Sequence, residues 1–308
     1  MEKVNVFAPA TVANVGPGYD ILGFALNSPG DIVRACRVSG KGVSIKKISG
    51  DNGFLPLNPE KNTASIAALS VMERLGVKNE GLELELEKGM PLNSGLGSSG
   101  ASAVAGAYAA LKIFGSDEEK INFVEDCMNA EGAVSGFHAD NVGPSLLGGF
   151  VLIKGYEPLD VVKLPAPESL VAVVINPNCE VSTRKAREII PKEIPMKSLV
   201  RNSGNVSGIV AGILMNDLKL IGRSVNDCVV EPVRATLIPG FDSVKKSALE
   251  AGALGCSISG SGPSVFAFAD SEKRGEEIAK AMREAFSRAG LSSKKFVSRV
   301  NNEGAKEV

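Results

Sequence analysis

The feature that most constrains this chain is a glycine-serine stretch, residues 91–103 (PLNSGLGSSGASA), which leads directly into an alanine-rich segment. That segment predicts a helix from about Ser98 to Gly115, where a glycine takes the usual position just past a helix end. A loop of this kind directs unpaired backbone N–H groups and the positive end of the helix dipole at one point, which attracts phosphate. We therefore predict a phosphate-binding loop, in which Ser98 or Ser99 either caps the helix or turns its hydroxyl toward a metal ion carried by the phosphates.

The residues in and around the loop indicate which kind of phosphate-binding loop it is. The loop satisfies the dinucleotide pattern G-x-G-x-x-G, but it lacks the Lys-Ser/Thr pair of a Walker A loop. The preceding segment, Gly81–Glu87 (GLELELE), alternates apolar and acidic residues, which indicates a strand with one wet face in an antiparallel sheet. The first strand of a dinucleotide-binding unit is buried on both faces instead. We expect a phosphate site rather than a dinucleotide site, and an ordinary turn and helix cap is the less favoured alternative.

Composition limits the classes of partner. The 308 residues suffice for two domains of ordinary size, and 34 basic against 35 acidic residues give no charge that would recruit nucleic acid or an anionic membrane. No aliphatic run is long enough to span a membrane, and the N-terminus lacks a signal-peptide core. Five scattered cysteines and a single histidine argue for free thiols in a reducing compartment, and against a zinc site or a histidine-based triad. A soluble cytoplasmic protein is expected.

The rest of the chain predicts unevenly alternating strands and helices, which fits an α+β architecture. We expect a first strand around Val4–Val6, a strand pair at 31–38 and 43–48 joined at Gly40–Gly42, a helix at 62–75, and a capping box at Ser116–Glu119 that opens a helix to about Asn129. A glycine-punctuated loop at 131–141 and a strand at 148–153 follow. Beyond a division near residue 156 we expect strands at 170–175, 265–268 and 296–300, helices within 196–221 and at 278–286, and a short charged turn at 231–234.

Polar residues beside glycines are the candidates for a site. Asn14 and Asp20 flank the tight loop at 16–18, where a ligand role and a turn role are about equally supported. Thr183 and Arg187 are four residues apart on one face of a helix that Ser182 or Thr183 caps, which suits an anion, although a solvated basic helix is the common alternative. The loop at 131–141 adds a plausible site wall made of Glu131, His138, Asp140 and Asn141.

Three glycine clusters in this order resemble the GHMP kinase superfamily: residues 9–23 (PATVANVGPGYDILG), 91–103, and 258–264 (ISGSGPS). Segments 138–142, 182–187 and 231–234 are similar to the homoserine-phosphorylating family within it, and Tyr19 stands where that family often has Phe. The resemblance extends from about residue 4 to about residue 270. It implies a two-domain α+β GHMP kinase fold, with a ribosomal-protein-S5-like nucleotide-binding domain over 1–156 and a ferredoxin-like domain over 157–308 that contributes substrate-binding residues.

The resemblance also implies ATP, Mg²⁺ and L-homoserine as ligands, a homodimer, and a place in threonine biosynthesis. Ser98 and Glu131 would hold the magnesium ion. Asp20 would pair with the substrate ammonium, and Arg187 and Arg234, helped by Thr183, with its carboxylate, because guanidinium groups match carboxylate geometry. Asn14, His138 and Asn141 would surround the rest of the substrate. The residues implied in ATP binding are Asn62, Lys88, Pro91, Leu92, Asn93, Ser94, Gly95, Leu96, Gly97, Ser98, Ser99, Gly100 and Ala101.

Phosphoryl transfer depends mainly on positioning and charge stabilisation. By resemblance, Asn141 orients the acceptor hydroxyl without a carboxylate base, and the adjacent Asp140 is structural. The first alternative is a GHMP kinase for mevalonate or shikimate, which carry no ammonium group to satisfy Asp20. The second is a non-catalytic nucleotide-binding regulator, which has little need for the Ser98–Glu131 pair. A dehydrogenase is the least supported.

Overall fold

The computed structural model describes residues 2–115, 119–133 and 136–308, which form two sheets covered by helices. The larger sheet has seven strands. In spatial order they are β11 (Lys306–Glu307), β1 (Lys3–Ala13), β2 (Leu22–Val38), β4 (Gly81–Glu87) and β3 (Gly42–Ser49), with β5 (Phe150–Tyr156) beside the start of β2 and β6 (Leu159–Leu164) beside β5. Helix α2 (Ser98–Phe114) lies between this sheet and α1 (Thr63–Arg74), next to α3 (Val124–Gly132) and α4 (Ala139–Leu147). The predicted phosphate loop therefore begins a helix that is buried along most of its length.

The smaller sheet is antiparallel, in the order β10 (Ser293–Arg299), β7 (Val171–Pro177), β9 (Val265–Ala269) and β8 (Gly255–Ile258). Its two central strands are buried on both faces. On β9, Val265, Ala267 and Ala269 pack under α9 (Phe241–Glu250) and α10 (Glu272–Arg288), whereas Phe266 and Phe268 face the core of the larger sheet. There Phe268 lies 5.3 Å from Phe24, ring centroid to centroid. The remaining helices are α5 (Thr183–Glu188), α6 (Met196–Leu214), α7 (Leu218–Ser224) and α8 (Val230–Arg234).

The α+β architecture is confirmed, and so are α1, α2, β4, β5, β7, β9, β10 and the helices predicted within 196–221 and at 278–286. The predicted pairing of strands 31–38 and 43–48 is wrong, because β4 lies between β2 and β3. Leu84 is opposite Ala35 on one side and Ile45 on the other. The central position buries the leucines of β4, and its acidic face bonds to both neighbours, with Glu87 2.7 Å from Arg34 and Glu85 2.7 Å from Lys46. These contacts decide the pairing, although the glycine turn at Gly40–Gly42 would have allowed β2 and β3 to pair directly.

Two further predictions need correction, and two remain as they were. The loop expected at 131–141 is partly helical, since Glu131 lies in the last turn of α3 and Asn141 in the first turn of α4. The charged turn expected at 231–234 is helix α8, in which Glu231 and Arg234 are buried.

Most of the capping box at Ser116–Glu119 lies outside the described residues. The division near residue 156 stays a prediction; β6 follows it but belongs to the larger sheet, as does β11.

No helix among the described residues is both long and apolar enough to cross a membrane.

Candidate active site

A cleft of about 890 Å³ opens beside the N-terminus of α2 and collects most of the predicted site residues. Its wall is formed by Ala13 at the end of β1, by loops, and by residues of helices α1 to α5 and α8. Of the predicted residues it contains Asn14, Asp20, Asn62, Lys88, Leu92, Asn93, Ser94, Gly95, Gly97, Ser98, Ser99, Glu131, His138, Asp140, Asn141, Thr183, Arg187 and Arg234. Four predicted ATP contacts do not line it: Pro91, Leu96, Gly100 and Ala101. Of these, Leu96 and Ala101 are fully buried in the core.

The phosphate loop is held against the third glycine cluster. Ser259 Oγ donates to the carbonyl oxygen of Gly95 at 2.6 Å, and the N–H of Ser264 donates to the carbonyl of Ser94. A Cβ on Gly95 would lie 2.5 Å from the Ser259 carbonyl oxygen, so only glycine fits this approach. Gly97, with φ of +66°, takes the N-cap position of α2. The alternative in which Ser98 or Ser99 caps the helix is therefore wrong, because both lie inside its first turn.

The serine side chains of that first turn favour the metal alternative. Ser99 Oγ donates to Glu131 Oε2 at 3.0 Å. Ser98 Oγ is buried and has no hydrogen-bond partner among the residues that the structure describes. A buried hydroxyl without a partner is costly unless a ligand completes it. Hydroxyl and carboxylate oxygens beside a phosphate site are the donors that Mg²⁺ prefers, so these residues fit the ion.

Lys88 lies beneath the loop and also lines the cleft. Its Nζ is buried, pairs with Asp31, and donates to the carbonyl of Ser98 at 2.8 Å and to Ser102 Oγ at 2.6 Å. Burial raises the pKa of Asp31, and the neighbouring ammonium opposes that shift. The Lys88 side chain thus fixes the first turn of α2 from below, and its role as an ATP contact stays a prediction. The sequence analysis singled out neither Asp31, which is 57 residues from Lys88, nor Ser102, which is 14 residues from it.

At the other end of the cleft, Asp20 and Arg187 form a two-point ion pair. Arg187 donates from Nη2 to Oδ1 at 2.8 Å and from Nη1 to Oδ2 at 3.0 Å. Asp20 has a φ of +60°, a conformation supported by its N–H bond to Asn14 Oδ1 at 3.0 Å. Arg234 is fixed separately, through bonds to the carbonyl oxygens of Ala186 and Gly260.

Two aromatic hydroxyls and the histidine complete this end. Tyr19 accepts a bond from Arg187, and Tyr156 donates to the carbonyl of Asp20 at 2.6 Å. His138 Nδ1 lies 3.9 Å from Asp20 Oδ1, and burial lowers the pKa of the imidazole, which keeps it neutral at neutral pH. Thr183 Oγ1 lies 3.3 Å from Ser261 Oγ of the third glycine cluster. The sequence analysis named Tyr19 only as a departure from a family pattern, and it did not single out Tyr156.

Between the two ends lies Asn141, whose Oδ1 accepts a hydrogen bond from Thr11 Oγ1 at 2.8 Å. This bond leaves the amide N–H groups of Asn141 to face a ligand. Asp140 is fully buried instead and accepts the backbone N–H of Asn14, and burial raises its pKa to about 7. Thr11, which the sequence did not indicate, lies near the end of β1, where its N–H donates to the Leu96 carbonyl of the phosphate loop.

Comparisons with known proteins agree with this arrangement. The family model described as "GHMP kinases N terminal domain" matches residues 62–149, and "GHMP kinases C terminal" matches residues 208–288. The chain is similar to the homoserine kinase of Chlorobaculum tepidum (46% identity, 100% of this chain and 99% of the relative) and to that of Arabidopsis thaliana (46%, 99% and 85%). Among solved structures it is similar to the homoserine kinase from Cytophaga hutchinsonii, with a TM-score of 0.96 and 52% identity over 100% of this chain and 98% of that one.

A mevalonate kinase from L. major shares the fold alone, with a TM-score of 0.72 at 16% identity over 97% of this chain and 96% of that one. Fold, phosphate loop and family models together define a kinase of the GHMP class. Within that class, the full-length similarity at 46% identity shows that the chain belongs to the homoserine kinase family.

Proposed function

We propose that this chain transfers the γ-phosphoryl group of ATP to the hydroxyl of L-homoserine, giving O-phospho-L-homoserine for threonine synthesis in the cytoplasm. The observation that carries the proposal is the charge pattern at one end of the cleft. One carboxylate, Asp20, and two guanidinium groups, Arg187 and Arg234, lie together there. A zwitterion with one ammonium and one carboxylate complements that set, and the phosphate loop at the other end receives ATP.

Magnesium belongs to the same proposal. Ser98 and Glu131 would hold the ion at the start of α2, and its charge would offset the negative charge of the ATP phosphates. The support is the buried Ser98 hydroxyl described above, which needs a partner. Because the loop is already fixed by Lys88 from below and by Ser259 from the side, binding ATP requires little reordering.

We further propose that the acceptor hydroxyl is oriented by Asn141 and that no carboxylate acts as a general base. Asp140 is buried against the Asn14 backbone, and Asp20 is paired with Arg187, so both carboxyl groups nearest to the acceptor are already engaged. In a loose phosphoryl transfer the nucleophile needs positioning more than deprotonation. The resemblance to the family supports this assignment, and it also supports assembly as a homodimer.

The alternatives differ from the proposal in the charge of the acceptor. Mevalonate and shikimate carry no ammonium group to bind Asp20, which would then remain paired with Arg187. A non-catalytic nucleotide binder would bind ATP but transfer nothing.

A coupled ADP-release assay with ATP and Mg²⁺ tests the proposal, with L-homoserine, mevalonate, shikimate or no acceptor in parallel. We expect turnover with homoserine alone, and none when Mg²⁺ is removed by chelation. Turnover with another alcohol, or ATP binding without turnover on any acceptor, would contradict the proposed function. Turnover that persists without divalent cations would contradict the magnesium assignment alone.

A further inference from the structure

Tyr19 lies between the two arginines of the substrate end. Its hydroxyl oxygen accepts a hydrogen bond from Arg187 Nη1 at 2.7 Å. The guanidinium carbons of Arg187 and Arg234 lie 5.5 Å and 5.1 Å from the centroid of its ring. Cations at such distances are attracted to the face of an aromatic ring. One side chain therefore contacts both groups that would bind a carboxylate.

The two arginines are not equally well fixed. Arg234 is buried and donates to two backbone carbonyls, those of Ala186 and Gly260. Arg187 is about one-third exposed, and its Nε has no hydrogen-bond partner among the described residues. Its charged partner is Asp20, the carboxylate that the substrate ammonium would take over. Once that exchange occurs, Tyr19 is the hydrogen-bonding partner that Arg187 retains.

We propose that Tyr19 is a positioning residue that holds Arg187 beside Arg234 in the geometry required by the substrate carboxylate. The inference rests on the proposed function and deepens it, since it makes the enzyme selective for hydroxy amino acids over alcohols that lack the carboxylate. The ring also attracts two like charges that would otherwise repel one another. Burial, reinforced by the nearby Asp20, raises the pKa of Tyr19, so its hydroxyl stays protonated throughout an ordinary assay range.

The test compares Tyr19→Phe, which removes only the hydroxyl, with Tyr19→Leu, which also removes the aromatic face. We expect the KM for L-homoserine to rise about threefold to tenfold in the first variant and further in the second, while kcat and the KM for ATP change little. Tyr108→Phe is the matched control, because the Tyr108 ring also lies near two cations, Lys112 and Lys120, but away from the cleft.

Two analogues separate positioning from a general structural role. 4-Hydroxybutanoate keeps the carboxylate and 2-amino-1,4-butanediol lacks it, and binding of each is measured by competition with homoserine. Weaker binding of 4-hydroxybutanoate with unchanged binding of the diol, in Tyr19→Phe as well as Tyr19→Leu, supports the inference.

Equal losses for both analogues and for ATP would overturn the inference, and so would a KM for homoserine within twofold of the wild-type value in both variants. If Tyr19→Leu does not fold, Tyr19→Phe alone decides. Wild-type enzyme that does not turn over homoserine would contradict the proposed function first. Wild-type turnover with unaffected Tyr19 variants would contradict this inference only.

Discussion

Asp140 and Asn141 are adjacent in the chain, yet α4 places their side chains in different surroundings. Asn141 bonds to Thr11 at the edge of the cleft, whereas Asp140 is buried against the backbone of the 14–20 loop. The raised pKa of Asp140 results first from desolvation and then from the charge of Asp20. A buried carboxyl with a raised pKa can mark a catalytic base, but it can equally mark a structural group.

We predict that Asp140→Asn keeps turnover within about threefold of wild type, whereas Asn141→Ala lowers kcat about a hundredfold, because misplacing an acceptor costs about that factor. Steady-state kinetics, with circular dichroism to confirm folding, decide between the two roles. A folded Asp140→Asn enzyme that binds both substrates but does not turn over would make Asp140 the base.

The Asp140→Asn substitution should also change how the free energy of unfolding depends on pH. The Asp140 carboxyl titrates at about 7 in the folded chain and near 3.8 when unfolded, so the fold favours its protonated form. Its contribution to stability is therefore complete below pH 4 and is lost as pH rises to about 7. Between pH 5 and pH 8 the wild type should lose about 2 kcal/mol of unfolding free energy relative to Asp140→Asn. Urea unfolding at both pH values measures this, and a constant difference would contradict it.

At the residue scale, sequence reasoning identified Asp20 beside the glycines of the 16–18 loop, and Arg187 from its four-residue spacing to Thr183 on one helix face. It missed Thr11, whose partner is 130 residues away, and Tyr156, whose partner is 136 residues away. Threonine and tyrosine are common in strands and cores, so nothing local distinguishes them. Their roles arise only when folding brings the partners together.

At the scale of elements, α2 was predictable because a glycine loop, a run of small residues and a terminal glycine all agree locally. The order of β2, β3 and β4 could not be predicted, because strand pairing is decided by long-range burial and by charges on neighbouring strands. The start of α2 also depends on distant contacts. A Cβ on Gly97 would lie 2.1 Å from Thr11 Oγ1 and 2.7 Å from Asn141 Oδ1.

We predict that Gly97→Ala lowers kcat at least about tenfold, because the new methyl group pushes apart the Thr11–Asn141 pair that positions the acceptor. Gly290→Ala is a matched control, since Gly290 has a comparable φ of +81° just past the end of α10, and no described residue would lie within 4 Å of an added Cβ. It should carry only the backbone strain, about 1–2 kcal/mol of stability, and keep its activity. Similar kinetics in both variants would show that strain, and not the contact with Asn141, governs the effect.

At the scale of the whole molecule, the chain returns to its first strand after completing the smaller sheet. Strand β11 pairs with β1 at Val6 and Phe7, and the N–H of Val308 donates to the carbonyl of Asn5. Lys120 Nζ holds the same segment through the carbonyls of Glu303 and Ala305, and Ala305 is fully buried. Two strand residues are too few to show a periodic pattern, so β11 could not be predicted from sequence.

We predict that deleting residues 303–308 lowers the free energy of unfolding by about 2–4 kcal/mol and uncovers β1 as an unpaired edge that promotes association. Below the unfolding transition the KM for both substrates should stay near wild type, because β11 pairs with Val6 and Phe7, whereas Thr11 and Ala13 reach the site at the other end of β1. Urea unfolding and light scattering measure the first two effects.

Lys306→Ala provides the control for this deletion. It removes an exposed side chain and its surface ion pair with Glu303 but keeps the backbone ladder, so stability should change by no more than about 0.5 kcal/mol. If the deletion were as mild as this substitution, the pairing of β11 with β1 would contribute little, and the first strand would be held by β2 alone. A lowered affinity for homoserine in a deletion that is still folded would instead show that the far end of β1 controls the geometry of Thr11.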